Sequence, residues 1–185
     1  MPRLTFARFV LPAALLIGGV SACSDSNSDD GIVSANVVTI EVSDNVLAVG
    51  QASIVAADFS YSANLIFGED KHVFVTIRIA PGLDFREGTS EIDGITSSDD
   101  ESVGADITRC PESGEMFLVF DLDRFDLDSA QNPSGDADAR LNFTVDAVAA
   151  SPQSTISARA DATPSIFACG EEFIPEAITV LQVVP

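Results

Sequence analysis

The stretch that most constrains the fold is residues 72–85, HVFVTIRIAPGLDF. Pro81 lacks an N–H group and Gly82 tolerates a positive φ angle, so together they end any strand that precedes them. Before this turn, a branched aliphatic side chain occupies every second position: Val73, Val75, Ile77 and Ile79. A period of two places these side chains on one face, which is typical of a strand with one buried face. The stretch therefore predicts the central strand of a β-sandwich and its exit turn.

Two later segments alternate in the same way and extend the prediction to the whole chain. Their apolar sets are Met116, Leu118, Phe120 and Leu122 in residues 115–123, and Leu141, Phe143, Val145 and Ala147 in residues 140–148. Turn-forming residues recur about every 8–15 positions, and the sequence after the N-terminal leader has no helical periodicity. We predict an all-β, Ig-like antiparallel β-sandwich of about seven to nine strands in residues 35–185.

Three segments carry more specific expectations. Residues 35–42 predict a first strand with Val38 on the same face as the apolar residues at the next two alternate positions. Residues 52–60 are apolar on both faces near Ile54, which predicts a strand that is covered on both sides. Residues 126–138 contain proline and glycine and predict a loop.

The N-terminus has the features of an exported leader. Two arginines are followed by an apolar run that is too short to span a bilayer, which takes about 20 residues. The run ends in Val20-Ser21-Ala22-Cys23, which resembles the lipobox of bacterial lipoproteins. The resemblance implies cleavage before Cys23 and lipidation of its thiol, with residues 1–22 as signal peptide. An ordinary secretory signal and a short membrane anchor are the alternatives.

A membrane-tethered location follows from that resemblance. Residues 23–34 would hold the lipidated cysteine and a flexible acidic tether that contains SDSNSDDG. Buried acyl chains contribute about 0.8 kcal/mol per CH₂, so more than one chain anchors a protein stably. Residue 24 is Ser rather than Asp, which by the same resemblance favours the outer membrane if the host is Gram-negative. We expect a cell-envelope protein on the periplasmic or the surface face, in contact with the membrane through its lipid.

The charge of the chain excludes one class of partner. All 29 Asp and Glu follow Cys23, whereas two of the nine Lys and Arg precede it, which leaves seven basic residues and a net charge of −22 after cleavage. Such a surface repels phosphate backbones, so nucleic acid is excluded as a partner. The chain has no Trp and a single Tyr, residues that often anchor binding surfaces. Their scarcity disfavours a carbohydrate-binding platform.

Two cysteines remain when Cys23 is lipidated. In an oxidising compartment Cys110 and Cys169 are expected to form a disulfide. A metal site is the alternative, but the chain has no CxxC pair and its single histidine is His72.

A run of aspartates leaves the strand at 115–123 and continues toward the next one. Asp123, Asp126, Asp128 and Asp136 are the candidate ligands. Carboxylate oxygens suit Ca²⁺, which takes six to eight oxygen ligands, so calcium is the one cofactor this pattern suggests. The order of the aspartates is not that of an EF-hand. In a chain this acidic, a solvated acidic rim is the alternative interpretation.

No catalytic residue is assigned. His72 stands at the start of the central strand without a nearby cysteine, and the chain has no Gly-x-Ser-x-Gly nucleophile elbow. Many carboxylates could form the pair that glycoside hydrolysis needs, but nothing in the sequence selects two of them. We therefore predict that the protein is not an enzyme.

A second resemblance concerns the domain itself. Val49-Gly50-Gln51, the turn at residues 80–85 and the segment at residues 141–145 resemble the bacterial conserved-repeat surface domain, over roughly residues 36–160. That family has an Ig-like sandwich and occurs in cell-surface and secreted proteins. The resemblance and the leader together imply a non-enzymatic, lipid-anchored interaction or structural module with an envelope protein as its partner. A calcium-binding adhesion-type module and a small extracytoplasmic hydrolase are the alternatives.

Overall fold

The computed structural model describes residues 32–63, 72–93, 103–123, 127, 135–164, 167 and 169–185. The signal peptide, the lipobox and Cys23 lie outside these residues, as does the tether up to residue 31. The assignments made for them stay predictions. A first strand begins at Ile32, within the segment that the sequence assigned to the tether.

The described residues form eleven strands in two sheets, which confirms the predicted all-β sandwich. In chain order they are β1 (Ile32–Val42), β2 (Val46–Ala48), β3 (Ala52–Ala63), β4 (Val73–Ile79), β5 (Leu83–Phe85), β6 (Glu91–Asp93), β7 (Ala105–Arg109), β8 (Met116–Leu122), β9 (Gly135–Ala147), β10 (Ser151–Asp161) and β11 (Ala177–Val184).

The observed sheets differ from the prediction in one strand pairing and in the number of strands. The five-stranded sheet has the order β1–β3–β9–β5, with β6 also on β9, and the six-stranded sheet has the order β2–β11–β10–β4–β8–β7. The pair β2–β11 is parallel, whereas a wholly antiparallel sandwich was expected. The strand count exceeds seven to nine because β2, β5 and β6 have three residues each. Strands this short are below the length at which alternation can be recognised.

The predicted central strand is β4, which lies between β10 and β8 in the six-stranded sheet. Its four alternating aliphatic side chains are at most 1% exposed. The alternating sets of β8 and β9 are buried with them in one core between the sheets. The inner faces of β4, β8 and β9 were therefore correctly predicted from the period of two.

The turn at Pro81-Gly82 carries the chain from one sheet to the other. It follows β4 of the six-stranded sheet and leads into β5, which pairs with β9 of the five-stranded sheet. Gly82 has φ +99°, and its carbonyl oxygen accepts a hydrogen bond of 2.9 Å from the N–H of Val148. The Ser154 hydroxyl donates to the Pro81 carbonyl at 2.9 Å. The turn is thus bonded to the β9–β10 hairpin as well as to its own strands.

The predicted inward direction of Val38 is wrong. Val38 is 56% exposed and Val37, its neighbour, is 4% exposed. The pairing of β1 with β3 shifts between Val37 and Thr39, which is a β-bulge. A bulge adds one residue to a strand, so the faces exchange at that point and simple alternation fails.

Two further expectations need correction. Ile54 on β3 is 55% exposed, so this strand is covered on one face there and not on both. The segment at 126–138 is not wholly a loop, because β9 begins at Gly135 and the backbone of Asp136 pairs with Ser62. These polar residues form a strand because their backbone N–H and C=O groups can pair with the long strand β3, and this pairing does not depend on the type of side chain.

Candidate functional site

The candidate site is the side of the sandwich where β1 and β11 meet, which we call the β1–β11 edge (residues 37–43 and 176–180). β1 is the last strand of the five-stranded sheet and pairs with β3 on one side. Oε2 of Glu176 accepts the N–H of Val37 at 2.6 Å and the N–H of Ala160 at 3.0 Å. One carboxylate therefore joins a strand of each sheet at this edge.

An open groove of about 490 Å³ runs along this edge. Its lining residues come from the end of β1, the turn that follows and the middle of β11: Ile40, Glu41, Val42, Ser43, Asn45, Thr179 and Val180. Val180 is 47% exposed. Ile178, at 58%, lies two positions earlier on the same face of β11, and Val38 stands out from the bulge of β1. Of the aliphatic side chains in the groove itself, Val180 is exposed, Val42 is half-buried and Ile40 is buried, and the rest of the lining is polar.

Alternation in the sequence does not predict this edge, although β11 carries one signal of it. In β11, Leu181 and Val183 are buried in the core, whereas Ile178 and Val180 are exposed on the other face. Apolar residues on both faces of a strand indicate either that a second layer covers the outer face or that the outer face is an exposed apolar surface. The position of β1 beside β11 could not be predicted, because it depends on the order of strands in both sheets.

The predicted disulfide is present. The Sγ atoms of Cys110 and Cys169 are bonded, with Cα atoms 5.4 Å apart and 59 positions between them in sequence. Cys110 follows β7, and Cys169 lies in the connection between β10 and β11. Closing a loop of this length contributes about 4 kcal/mol to stability in the chain-entropy model.

A small aromatic cluster surrounds this disulfide and is separate from the main core. The ring of Phe117 on β8 stacks on Phe167, with centroids 5.7 Å apart, and meets Phe173 edge to face at 5.9 Å. Phe167 and Phe173 are themselves 5.2 Å apart. All three rings and Cys110 lie on the outer side of the six-stranded sheet. The edge-to-face contacts between the rings are a favourable arrangement for aromatic pairs.

The predicted calcium ligands are only partly described. Asp123 follows β8 of the six-stranded sheet, and Asp136 lies in β9 of the five-stranded sheet. Asp126 and Asp128 lie outside the described residues. Within the part of the chain that is described, no three His, Cys, Asp or Glu side chains are arranged to hold a metal ion. The calcium site stays a prediction.

His72 is not simply a solvent-facing residue at a strand end. Its Nδ1 atom contacts Oδ1 of Asp121, and its ring stacks on Phe74 with centroids 5.9 Å apart. The register of β4 with β8 places Asp121 opposite Phe74, so the pair is a diagonal contact across two strands. A histidine and a carboxylate can exchange a proton, but they do not supply the nucleophile of a triad.

An ion pair ties three strands together on the outer face of the five-stranded sheet. Arg140 of β9 donates to both carboxylate oxygens of Asp58 on β3, at 2.6 and 2.9 Å. Thr39 of β1 donates its hydroxyl proton to the same carboxylate at 2.9 Å. The hydrogen bonds from Arg140 lower the pKa of Asp58, and the one from Thr39 acts in the same direction. Asp58 is therefore a structural carboxylate whose ionised form is favoured by its hydrogen bonds.

No helix among the described residues is long and apolar enough to cross a membrane.

Comparisons with known proteins identify no family for this chain. No family model matches the sequence, and no curated protein is similar to it. Among solved structures, the RrgB pilus protein of Streptococcus pneumoniae is 11% identical over 64% of this chain and 19% of its own, with a TM-score of 0.42. The N-terminal domain of the Streptococcus gordonii adhesin Sgo0707 is 13% identical over 79% of this chain and 32% of its own, with a TM-score of 0.46.

A third structure has a different function. AvmM, which catalyses macrocyclisation in alchivemycin A biosynthesis, is 13% identical over 83% of this chain and 89% of its own, with a TM-score of 0.41. This chain spans about a fifth of RrgB and about a third of the Sgo0707 structure. The three structures include both surface proteins and an enzyme, so no activity is transferred from them to this chain.

Proposed function

We propose that this protein is a non-enzymatic module of the bacterial cell envelope, held at the membrane by lipid on Cys23. Through its β1–β11 edge it binds an envelope protein. The observation that carries the proposal is the groove at this edge, with Val180 exposed in its lining and Val38 and Ile178 exposed on the same two strands. Exposed apolar residues that cluster on an otherwise charged surface are typical of a site for a protein partner.

The chemistry of the edge supports a protein rather than another ligand. The groove is shallow and holds one carboxylate, Glu41, among aliphatic and small polar side chains. A small molecule needs a deeper cavity that covers most of its surface. A net charge of −22 after cleavage repels nucleic acid and anionic lipid headgroups. An extended segment of a second protein, with polar groups that face the groove and an apolar contact for Val180, matches the edge best.

Site-specific photo-crosslinking in the native envelope tests the binding edge. A photo-reactive amino acid at Val180 of the full chain should give a discrete adduct, and the added substitution Ile178→Asp should abolish it. The matched control is the same amino acid at Thr108, which is exposed on β7 at the opposite side of the six-stranded sheet. Equal adducts at both positions, or none at Val180, would contradict the proposed edge.

A separate experiment tests the anchor. Growth with an alkyne-labelled fatty acid should label the wild-type protein and place it in the membrane fraction. Cys23→Ser should lose the label and move to the soluble fraction, whereas Cys110→Ser should keep the label. Labelling that persists in the Cys23→Ser variant would overturn the lipid anchor and leave the binding edge untouched.

A further inference from the structure

In the described part of the chain, β1 is the longest strand at an edge of either sheet. It has eleven residues, whereas β7 has five and β2, β5 and β6 have three each. It pairs with β3 on one side, and no described strand pairs with its other side. A long edge strand offers unpaired N–H and C=O groups to an extended chain that comes beside it. What this edge can bind therefore depends on which of these groups are open.

The hydrogen bonds of β1 show which of its backbone groups face away from β3. The N–H of Ser43 bonds to the C=O of Ile54, on the β3 side, at 2.9 Å. In an antiparallel ladder the backbone groups of successive residues point to opposite sides, and the register is unbroken from Thr39 to Val42. The N–H and C=O groups of Val42 and Ile40 therefore point away from β3. Both residues line the groove, so these groups face its open space.

The free side of β1 is closed at both ends of this stretch. The N–H of Val37, beside the bulge, bonds to the Glu176 carboxylate at 2.6 Å. Bulges are one of the means by which proteins close a sheet edge. After β1, the N–H of Asp44 bonds to Oγ of Ser53 at 3.1 Å, where the chain turns toward β2. The open stretch is thus residues 39–43, which at roughly 3.4 Å per residue is about 17 Å long.

The charges at this stretch favour a basic partner. Glu41 is exposed, belongs to the lining of the groove and has no ion pair among the described residues. By contrast, Asp58 of the neighbouring strand β3 is paired with Arg140. The groove lining contains neither lysine nor arginine. A basic side chain beside Glu41 on an added strand would form a cross-strand ion pair, whereas an acidic one would be repelled.

A second copy of this chain fits the open stretch poorly. Two copies that pair β1 with β1 about a two-fold axis within residues 39–43 would bring their Glu41 side chains onto neighbouring strands. Each chain also carries 29 acidic residues against nine basic ones, so two copies repel each other. A basic, extended segment of a different protein satisfies the open backbone groups and the charge together.

We propose that the partner binds the β1–β11 edge by strand addition. An extended segment with basic side chains at alternate positions pairs with the backbone of Ile40 and Val42, and one of its basic side chains lies beside Glu41. The same segment lies against Thr179 and Val180 across the groove. Strand addition rests on the function proposed above and specifies how that partner is bound.

Amide hydrogen exchange in the purified full chain, held in a non-ionic detergent, tests the pairing. In the free protein the amides of Ile40 and Val42 should exchange about tenfold or more faster than those of Thr39 and Glu41, which face β3. The probe is a heptapeptide of alternating lysine and valine with blocked ends. At saturation it should slow exchange at Ile40 and Val42 by about fivefold and leave Thr39 and Glu41 unchanged. No saturable binding, or binding without this protection, would overturn strand addition.

Two proline variants locate the binding site. Val42→Pro removes an N–H that faces the groove and keeps the ladder with β3, because an edge strand tolerates proline where the N–H faces solvent. It should weaken peptide binding by about tenfold, as expected from the loss of a backbone hydrogen bond. Ile107→Pro is the matched control, since the bond from the Cys110 N–H to Glu115 shows that the N–H of Ile107 faces the free side of β7. This control should bind like the wild type, and equal losses in both variants would overturn the site.

A charge variant gives an independent test if proline disturbs the fold. Glu41→Lys, at an exposed position, should weaken binding of the lysine–valine peptide by about fivefold. The same variant should bind a glutamate–valine peptide of equal length more tightly than the wild type does. Unchanged affinities for both peptides would overturn the basic partner.

Two further outcomes separate the other occupants. Protection of Ile40 and Val42 that rises with protein concentration, without peptide, would assign the edge to a second copy and overturn the proposed partner. The adduct at Val180 in the envelope reports separately on whether a partner binds at all. If the adduct forms but the peptide does not bind, strand addition is wrong and the binding edge stands. If the adduct is absent, the binding edge itself is wrong.

Discussion

At the scale of single residues, Gly82 shows how one position can be restricted both by its backbone and by its surroundings. Its φ of +99° is unfavourable for any residue with a Cβ atom. A Cβ added there would lie 3.0 Å from the carbonyl oxygen of Ala149 and 3.0 Å from Cβ of Ser151. Gly50 has a similar φ of +90°, but nothing lies within 4 Å of an added Cβ. The two glycines form a matched pair.

Gly82→Ala should therefore destabilise the protein more than Gly50→Ala. We expect about 1–2 kcal/mol for the backbone strain that both share. The crowding at Gly82 should add about 1–3 kcal/mol. Urea unfolding of both variants measures the difference in the free energy of unfolding. Equal losses would show that the β9–β10 hairpin can move away from the turn.

Asp58 gives a prediction about pH. Its pKa is lowered in the folded state by hydrogen bonds from Arg140, so the unfolded chain binds a proton at a higher pH than the folded protein does. The stabilisation is complete above the unfolded pKa of about 3.9 and is lost as the pH falls through the folded pKa. Because the pair is partly exposed, we expect less than about 1 kcal/mol.

The measurement compares wild type with Asp58→Asn by urea unfolding at neutral pH and in acid. The variant should be less stable at neutral pH, and the difference should shrink once the wild-type carboxylate is protonated. Thr39→Val serves as a control, since it removes one hydrogen bond but keeps the ion pair. A difference that does not change with pH would contradict the assigned role.

At the scale of elements, Glu176 joins the two sheets where β1 and β11 meet. Ala160 of β10 lies beyond the start of β11, so its N–H finds no ladder partner there and bonds to the Glu176 carboxylate. The N–H of Val37, beside the bulge of β1, bonds to the same oxygen. The Glu176 carboxylate thus accepts two hydrogen bonds that a neighbouring strand would otherwise accept. Buried backbone N–H groups need such an acceptor.

Glu176→Ala should leave both donors without this acceptor and cost about 1–3 kcal/mol of stability. Glu176→Gln retains a carbonyl oxygen and should lose less. Glu172→Ala, at an exposed residue of the connection between β10 and β11, is the control and should change stability by less than about 0.5 kcal/mol. Thermal unfolding of the three variants decides the matter, and similar melting temperatures for all would exclude the bridging role.

At the scale of the whole molecule, the calcium hypothesis predicts a ligand-dependent stability. If Asp123, Asp126, Asp128 and Asp136 bind the ion, calcium at a hundredfold excess over its Kd should stabilise the fold by about 2.7 kcal/mol. For a chain of this size that corresponds to a rise in Tm of roughly 5–10 °C. Melts in millimolar calcium and in excess chelator provide the test.

Magnesium at the same concentration is the control, because it prefers a smaller octahedral site. Asp123→Asn combined with Asp136→Asn should remove the calcium effect. Identical wild-type melts in calcium and in chelator would leave the aspartates as a solvated acidic rim.

The side chains of β4, β8 and β9 that face the core could be predicted from local alternation, because alternation is a property of extended backbone that depends only on neighbouring residues. The pairing of Cys110 with Cys169 and the turn at Pro81-Gly82 could also be predicted from the sequence. Alternation failed at Val38, where a bulge shifts it by one residue. The loop expected at 126–138 failed in part because β3 pairs with the residues from Gly135 onward.

The order of the strands, the cover over Phe117 and the groove at the β1–β11 edge could not be predicted from local pattern. Each of these depends on contacts between distant parts of the chain, such as the bond between Val37 and Glu176, which are 139 positions apart. Local pattern carries no information on which distant segment lies beside which, because those contacts form only when the layers pack together. The faces of the strands follow from neighbouring residues, whereas the candidate binding site follows from the packing of the two sheets.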